Sequence, residues 1–155
     1  MAGKAVYHGE VIKVGIMYDL RTIKGNIYKK IMNHLCDSSD TIYFTYYDDC
    51  LLNGEILELG GQYEKVVVSK GIRNQINSDT NIVGYRVDFF IKKYLLEKNS
   101  FADLMYDRGE YGLETGVLFY KGNDRIAYIE LTDFRDICFE TADEELIQEL
   151  STIGY

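Results

Sequence analysis

The stretch from Thr80 to Lys98, TNIVGYRVDFFIKKYLLEK, decides how we expect the rest of the chain to be organised. Plotted at about 100° per residue, its apolar side chains fall into two separate stripes on one helix. An ordinary surface helix needs a single apolar stripe, so a second stripe predicts contacts on two sides. The wide stripe consists of Val83, Val87, Phe90, Ile91, Tyr94 and Leu95. The narrow stripe consists of Ile82, Tyr85, Phe89 and Leu96.

The residues around this stretch favour a helix with defined ends. Ser78, Asp79 and Thr80 supply side-chain oxygens that can cap the first free N–H groups, and Asn99 can end the helix in a left-handed turn. We expect the wide stripe to face the core. The narrow stripe meets either a second layer of the same chain or a partner, and a homodimer closed by the narrow stripe is one form of the second possibility.

Shorter patterns before and after it alternate between strands and helices. Val11 to Tyr18 alternates as a strand does, Thr22 to Cys36 is an amphipathic helix, and Asn53-Gly54 is a strong hairpin signal. Because tight turns join antiparallel strands, we expect mainly antiparallel sheet. The predicted order is ββα-βββ-αα-βββ-α, with the sheet packed around a central helix at 80–98. Residues 1–155 therefore form a single α+β domain.

Composition limits the classes of protein that this chain can be. Its 155 residues are 46% hydrophobic and 27% charged, which is typical of a globular protein. The N-terminal residues lack the long apolar run of a signal peptide, and no stretch approaches membrane-spanning length. Three widely spaced cysteines suit a reducing compartment. These observations predict a cytoplasmic protein that does not act at a membrane.

Charge is distributed unevenly along the chain, whose net charge is −8. Residues 36–64 carry 7 acidic and no basic groups, whereas residues 65–98 carry 7 basic and 3 acidic groups. Phosphate binding depends on clustered Lys and Arg, so the overall negative charge disfavours nucleic acid as a partner. The same negative charge favours a partner protein with a basic surface.

Residue types that carry chemistry do not form a catalytic or metal-binding motif in this sequence. His34 and Cys36 are two residues apart on a predicted helix, so their side chains point in nearly opposite directions and cannot meet. Zinc sites need clustered pairs of Cys or His, which the chain lacks. We predict that the clusters of Asp and Glu residues form a solvated acidic surface. We therefore predict no catalytic residue, no metal and no cofactor.

The most informative candidate surface is the predicted strand Tyr43 to Asp49, YFTYYDD. Tyrosine combines a large contact area with a polar tip, and neighbouring carboxylates would suit a cationic partner. The alternative is that these rings cover the core while the acidic groups keep the strand soluble. With the carboxylates of the following hairpin, the predicted protein-binding residues are Tyr43, Tyr46, Tyr47, Asp48, Asp49, Glu55 and Glu58.

These features lead to three functional hypotheses. The first is a non-enzymatic acidic protein that neutralises a target protein, as a bacterial toxin-immunity protein or a phage-encoded inhibitor of a host defence system does. The absence of Pro and Trp beside 14 Tyr suggests an AT-rich bacterial or phage genome. The second is binding of an anionic, nucleotide-like ligand by aromatic rings and cations at Tyr85, Arg86, Phe89, Lys92 and Lys93. The third is an enzyme, for which the sequence selects no reaction.

Overall fold

The structure is a computed structural model that describes residues 3–7, 10–14, 16–19, 23–47, 63–76, 80–106, 116–131 and 137–152. The strands are β1 (Gly3–Tyr7), β2 (Glu10–Val14), β3 (Ile16–Asp19), β4 (Thr41–Tyr47), β5 (Lys65–Val66), β6 (Thr80–Arg86), β7 (Gly116–Lys121), β8 (Asp124–Leu131) and β9 (Ile137–Thr141). The helices are α1 (Gly25–Ser38), α2 (Lys70–Asn74), α3 (Phe89–Glu97), α4 (Phe101–Tyr106) and α5 (Glu144–Thr152).

Strands β3 to β9 form one seven-stranded sheet in the order β3-β9-β8-β7-β4-β6-β5, and every pair in it is antiparallel. Strands β1 and β2 form a separate antiparallel hairpin. The predicted α+β class with mainly antiparallel pairing is therefore confirmed in a single domain, and the element order is roughly the predicted one. The predicted hairpin at Asn53-Gly54 lies outside the described residues.

Both faces of the sheet carry buried side chains. On one face, Ile42, Phe44 and Phe119 pack against the buried sides of α1, α3, α4 and α5 to form the main core. On the other face, Tyr43 and Tyr120 pack with Ile72 of the short helix α2 in a smaller cluster. The sheet is thus the middle layer. Its strands lack clean alternation because apolar residues are needed on both sides.

The prediction of one helix from Thr80 to Lys98 is wrong in its first half. Residues Thr80–Arg86 are strand β6, which pairs with β4 along its whole length. Its β-branched residues and Gly84 favour a strand over a helix. Because both faces of β6 are covered, its apolar residues are nearly continuous. A short run of this kind fits a helical period as well as an extended one.

Asp88 marks the point at which the strand gives way to a helix. Its backbone is extended, and its carboxylate accepts a hydrogen bond from the N–H of Ile91 at 3.0 Å, as an N-cap residue does. Helix α3 therefore begins at Phe89, nine residues later than predicted. The two apolar stripes consequently do not exist as helical faces. Tyr85 lies in the main core, whereas Ile82 packs on the opposite face of the sheet.

Gly84 on β6 allows a close approach between the sheet and the side chains that cover it. A Cβ atom at this position would lie 2.7 Å from the Tyr43 ring and 2.8 Å from Cγ2 of Val66. The Tyr43 ring is buried and Val66 on a neighbouring strand is partly buried, so the ring in particular cannot move away freely. The ring of Tyr43 therefore needs glycine beneath it.

We predict that Gly84→Ala lowers the free energy of unfolding by about 1–3 kcal/mol, because the added methyl group overpacks this site. The matched control is Gly71→Ala in α2, where the nearest atom to a new Cβ is Ser69 Oγ at 3.9 Å. Alanine also favours a helix over glycine, so the control should be neutral or slightly stabilising. Urea unfolding of both variants measures the difference. Equal effects at the two positions would contradict this packing.

Candidate functional site

Part of the predicted protein-binding strand is buried in the structure, and the rest of the predicted protein-binding residues lie outside the described part of the chain. Tyr43 is buried, with 6% of its surface exposed, and its ring meets that of Tyr120 edge to face at 5.4 Å. Burial, followed by the charge of Asp40, raises the pKa of Tyr43 above its usual value. Tyr46 is half-buried on the opposite face. The side chain of Tyr47, and residues Asp48, Asp49, Glu55 and Glu58 as a whole, lie outside what the structure describes.

Strand β4 is also unsuitable as an exposed edge. It is hydrogen-bonded to β6 on one side and to β7 on the other. An edge strand would offer unpaired N–H and C=O groups to a partner, whereas these groups on β4 are used within the sheet. For Tyr43, the alternative that its ring covers the core is therefore correct.

The predicted ligand-binding residues are not brought into one site. Tyr85 is buried in the core with 1% of its surface exposed, and burial raises its pKa. The cations each face a carboxylate: Arg86 Nε lies 3.0 Å from Glu64 Oε2, and Lys92 Nζ lies 3.0 Å from Asp37 Oδ1. Lys93 lies 4.0 Å from Glu97 on the same helix. Neutralised cations beside a buried ring do not favour binding of an anionic ligand.

Exposed apolar side chains instead lie just after strand β5 and at the start of α3. We name Tyr63, Phe89 and Phe90, whose rings contact one another, the aromatic edge. Val67, directly after β5, is 94% exposed; Phe89 and Phe90, at the start of α3, are 71% and 38% exposed. Phe89 was among the predicted candidates for ligand binding and dimerisation. Tyr63 was not, and Phe90 was expected to face the core as part of the wide stripe.

The rings of the aromatic edge are held by each other and by the core. The Phe89 and Phe90 rings meet edge to face with centroids 5.6 Å apart, and Tyr63 lies 6.1 Å from Phe90. Tyr63 also contacts the buried ring of Tyr85 at 6.4 Å. Offset and edge-to-face contacts of this kind are favourable. A continuous row of aromatic contacts therefore runs from the core to the exposed Phe89.

Helix α3 and strand β5 are fixed relative to each other by β6. The N–H of Arg86 donates to the carbonyl oxygen of Glu64 at 2.9 Å, and their side chains form the ion pair described above. The N–H of Val87 donates to the carbonyl oxygen of Asp40 at 2.9 Å, just before Asp88 caps α3. The first turn of α3, with both phenylalanines, is thus anchored to the end of the sheet.

A second cluster, around His34, has a structural role. His34 Nε2 lies 3.2 Å from Asp143 Oδ2 and 3.3 Å from Ser38 Oγ, while Nδ1 lies 3.6 Å from Glu145. A catalytic triad places the nucleophile and the orienting carboxylate on opposite ring nitrogens. Here Ser38 and Asp143 share one nitrogen, and the carboxylate near the other nitrogen, that of Glu145, is 85% exposed and too distant for a hydrogen bond. Asp143 Oδ1 also caps α5 at the N–H of Leu146. The cluster therefore fastens α1 to α5.

Cys36, the other candidate from the first helix, is a buried thiol of the main core. Burial raises its pKa from 9.0 to about 12, and the charge of Lys92 offsets this only in part. A nucleophilic cysteine needs a lowered pKa and some exposure. Cys36 has the opposite properties and contributes to packing.

Within the described residues, no group of three or more His, Cys, Asp or Glu side chains is arranged to hold a metal ion. The helices in that part of the chain are all too short or too polar to cross a membrane. No protein-family model matches the chain, and neither a comparison with curated proteins nor one with solved structures finds a match.

We predict that the protein loses stability as the pH rises from about 8 to about 11. The raised pKa of Cys36 means that the folded state holds its proton more tightly than the unfolded chain does. That stabilisation is complete below the unfolded pKa near 9 and is lost toward 12; for Cys36 alone the loss by about pH 11 is on the order of 2 kcal/mol. Buried Tyr43, Tyr85 and Tyr120, whose pKa values are also raised, act in the same direction.

Chemical unfolding at a series of pH values measures this loss, and Cys36→Ala should make the alkaline slope shallower. Cys138→Ala is the matched control, since Cys138 is half-buried and is not among the buried residues of the main core. A Cys36→Ala variant with the wild-type slope would show that the thiol is not held protonated by burial.

Proposed function

We propose that this protein is a non-enzymatic binding protein that docks another protein on its aromatic edge. One observation carries the proposal. Of the four large hydrophobic residues that are exposed in the described part of the chain, two, Phe89 and Phe90, contact each other and belong to this edge. Scattered exposed apolar residues are ordinary, but a cluster of them favours an interaction site.

The construction of the edge supports the same proposal. Phe89 lies in the first turn of a helix whose start is fixed by Asp88, and its ring contacts that of Phe90 edge to face. A rigid aromatic side chain loses little conformational entropy when a partner covers it. Aromatic residues of this kind, near the centre of an interface, commonly contribute most of the binding energy. Phe89 is therefore the proposed anchor.

The narrower part of the proposal concerns the class of binding protein. A small acidic protein that acts by contact alone fits a toxin-immunity protein or a phage-encoded inhibitor of a host defence system. The buried Cys36 is a free thiol, which suits the cytoplasm. In either class the protein would neutralise its target by covering a surface that the target needs.

Affinity purification from the cells that produce the protein tests the proposal with three forms of the chain. Wild type and Ile27→Ser should retain the same partner, whereas Phe89→Ser should bind it at least about tenfold more weakly. Ile27 is the matched control because it is a 42% exposed apolar residue on α1, outside the aromatic edge. Since both side chains are exposed, both variants should unfold within about 0.5 kcal/mol of wild type.

Two results would contradict the proposal. One is a Phe89→Ser protein that recovers the wild-type amount of partner at wild-type affinity. The other is an Ile27→Ser protein that loses the partner as completely as Phe89→Ser does, because the binding surface would then include α1.

A further inference from the structure

The charged side chains next to Tyr63 are paired with each other. Glu64 follows Tyr63 directly in the sequence, and its Oε2 atom lies 3.0 Å from Nε of Arg86 on the neighbouring strand. Both side chains are more than half exposed. This ion pair therefore lies at the surface of the protein, beside the aromatic edge.

The charged side chains at the start of α3 are also used within the chain. Lys93 follows Phe89 by four residues, so the two lie next to each other on one face of the helix. Lys93 Nζ lies 4.0 Å from Glu97 Oε1, and both side chains are more than half exposed. The carboxylate of Asp88 accepts the N–H of Ile91 in the helix cap.

Paired charges of this kind give the surroundings of the rings little net charge. Opposite charges a few ångströms apart nearly cancel at the distance of a Debye length, which is about 8 Å at physiological ionic strength. The third cation of α3, Lys92, is likewise paired, with Asp37. Lys65 of β5 is exposed, so its ammonium group can stay in water while a partner covers the rings. Among the described residues, the charges beside the edge thus favour neither a basic nor an acidic partner.

The rings of the aromatic edge form a notched surface. The Phe89 and Phe90 rings meet at 77° with centroids 5.6 Å apart, and the Tyr63 and Phe90 rings meet at 58°. Phe89 is 71% and Phe90 38% exposed, so both rings are accessible. An apolar side chain placed in the angle between two rings contacts both of them, whereas a charged group placed there loses its hydration.

We propose that the aromatic edge binds an uncharged apolar segment of the partner protein, with an aliphatic or aromatic side chain seated between the rings of Phe89 and Phe90. The proposal rests on the proposed function and supplies the chemistry of the partner. It differs from the basic partner surface expected from the net charge of the chain, because the charges beside these rings are already paired.

NMR titration with three capped peptides tests the chemistry of the partner. The peptides are identical except at two central positions, which are both leucine, both lysine or both glutamate. The leucine peptide should shift the resonances of Tyr63, Phe89 and Phe90 and bind at least about tenfold more tightly than either charged peptide. Raising the salt concentration from about 0.05 to about 0.5 M should change its Kd by less than about twofold, because the contact is uncharged. Phe89→Ser should lose these shifts.

Two variants test whether ion pairing makes the edge indifferent to charge. Glu64→Gln leaves Arg86 without its carboxylate, so the affinity for the glutamate peptide should rise about threefold while that for the leucine peptide stays within about twofold. Glu140→Gln is the matched control. It also breaks an Arg–Glu pair, with Arg125 at 2.7 Å, but on β8 and β9, which β7 and β4 separate from β6. It should change neither affinity.

The possible failures are distinguishable. Tighter binding of either charged peptide to the wild-type protein, or no response of Glu64→Gln to the glutamate peptide, would overturn the uncharged partner. Shifts at Phe89 that grow with protein concentration alone would overturn it in favour of a second copy of the chain. If no peptide binds at millimolar concentration and Phe89→Ser still loses the cellular partner, this proposal fails and the proposed function stands. If Phe89→Ser retains that partner, the proposed function fails as well.

Discussion

Strand β4 is the element on which the rest of the molecule depends, because it is paired on both sides and covered on both faces. Its pairing with β6 runs from Thr41 to Tyr47 and so fixes where β6 ends. The carbonyl oxygen of Asp40, just before β4, also accepts the N–H of Val87. One residue later Asp88 caps α3. The position of Phe89 at the edge of the sheet thus follows, step by step, from the register of the central strand.

The class of the fold could be predicted from the sequence, whereas the nature of its central stretch could not. Amphipathic periods report local structure, and helix α1 agrees with the amphipathic helix predicted from Thr22 to Cys36. In Thr80–Arg86 the decisive fact is that a second apolar layer, with Ile72, covers the outer face of the sheet. That layer comes from other parts of the chain. Without it, a nearly continuous apolar run followed by a helix is indistinguishable from a longer helix.

The candidate site illustrates the same limit. Tyrosines beside carboxylates at 43–49 looked like an interface, but the burial of Tyr43 depends on β6 and β7 lying on either side. Phe89 was singled out by its apolar character, yet its 71% exposure follows from the position of the Asp88 cap. Charge is equally dependent on position. In a chain with a net charge of −8, the exposed Phe89 and Phe90 lie within a stretch rich in Lys and Arg, several of which are paired with carboxylates.

The central claim is that a strand ending at Arg86 and a helix beginning at Phe89 place an aromatic cluster at the sheet edge. NMR chemical shifts and nuclear Overhauser effects measure both parts in one experiment. The account predicts extended backbone shifts from Thr80 to Arg86, helical shifts from Phe89 to Glu97, and Overhauser contacts between the rings of Tyr63 and Phe90. Continuous helical shifts from Thr80 to Glu97, without contacts between those two rings, would contradict it.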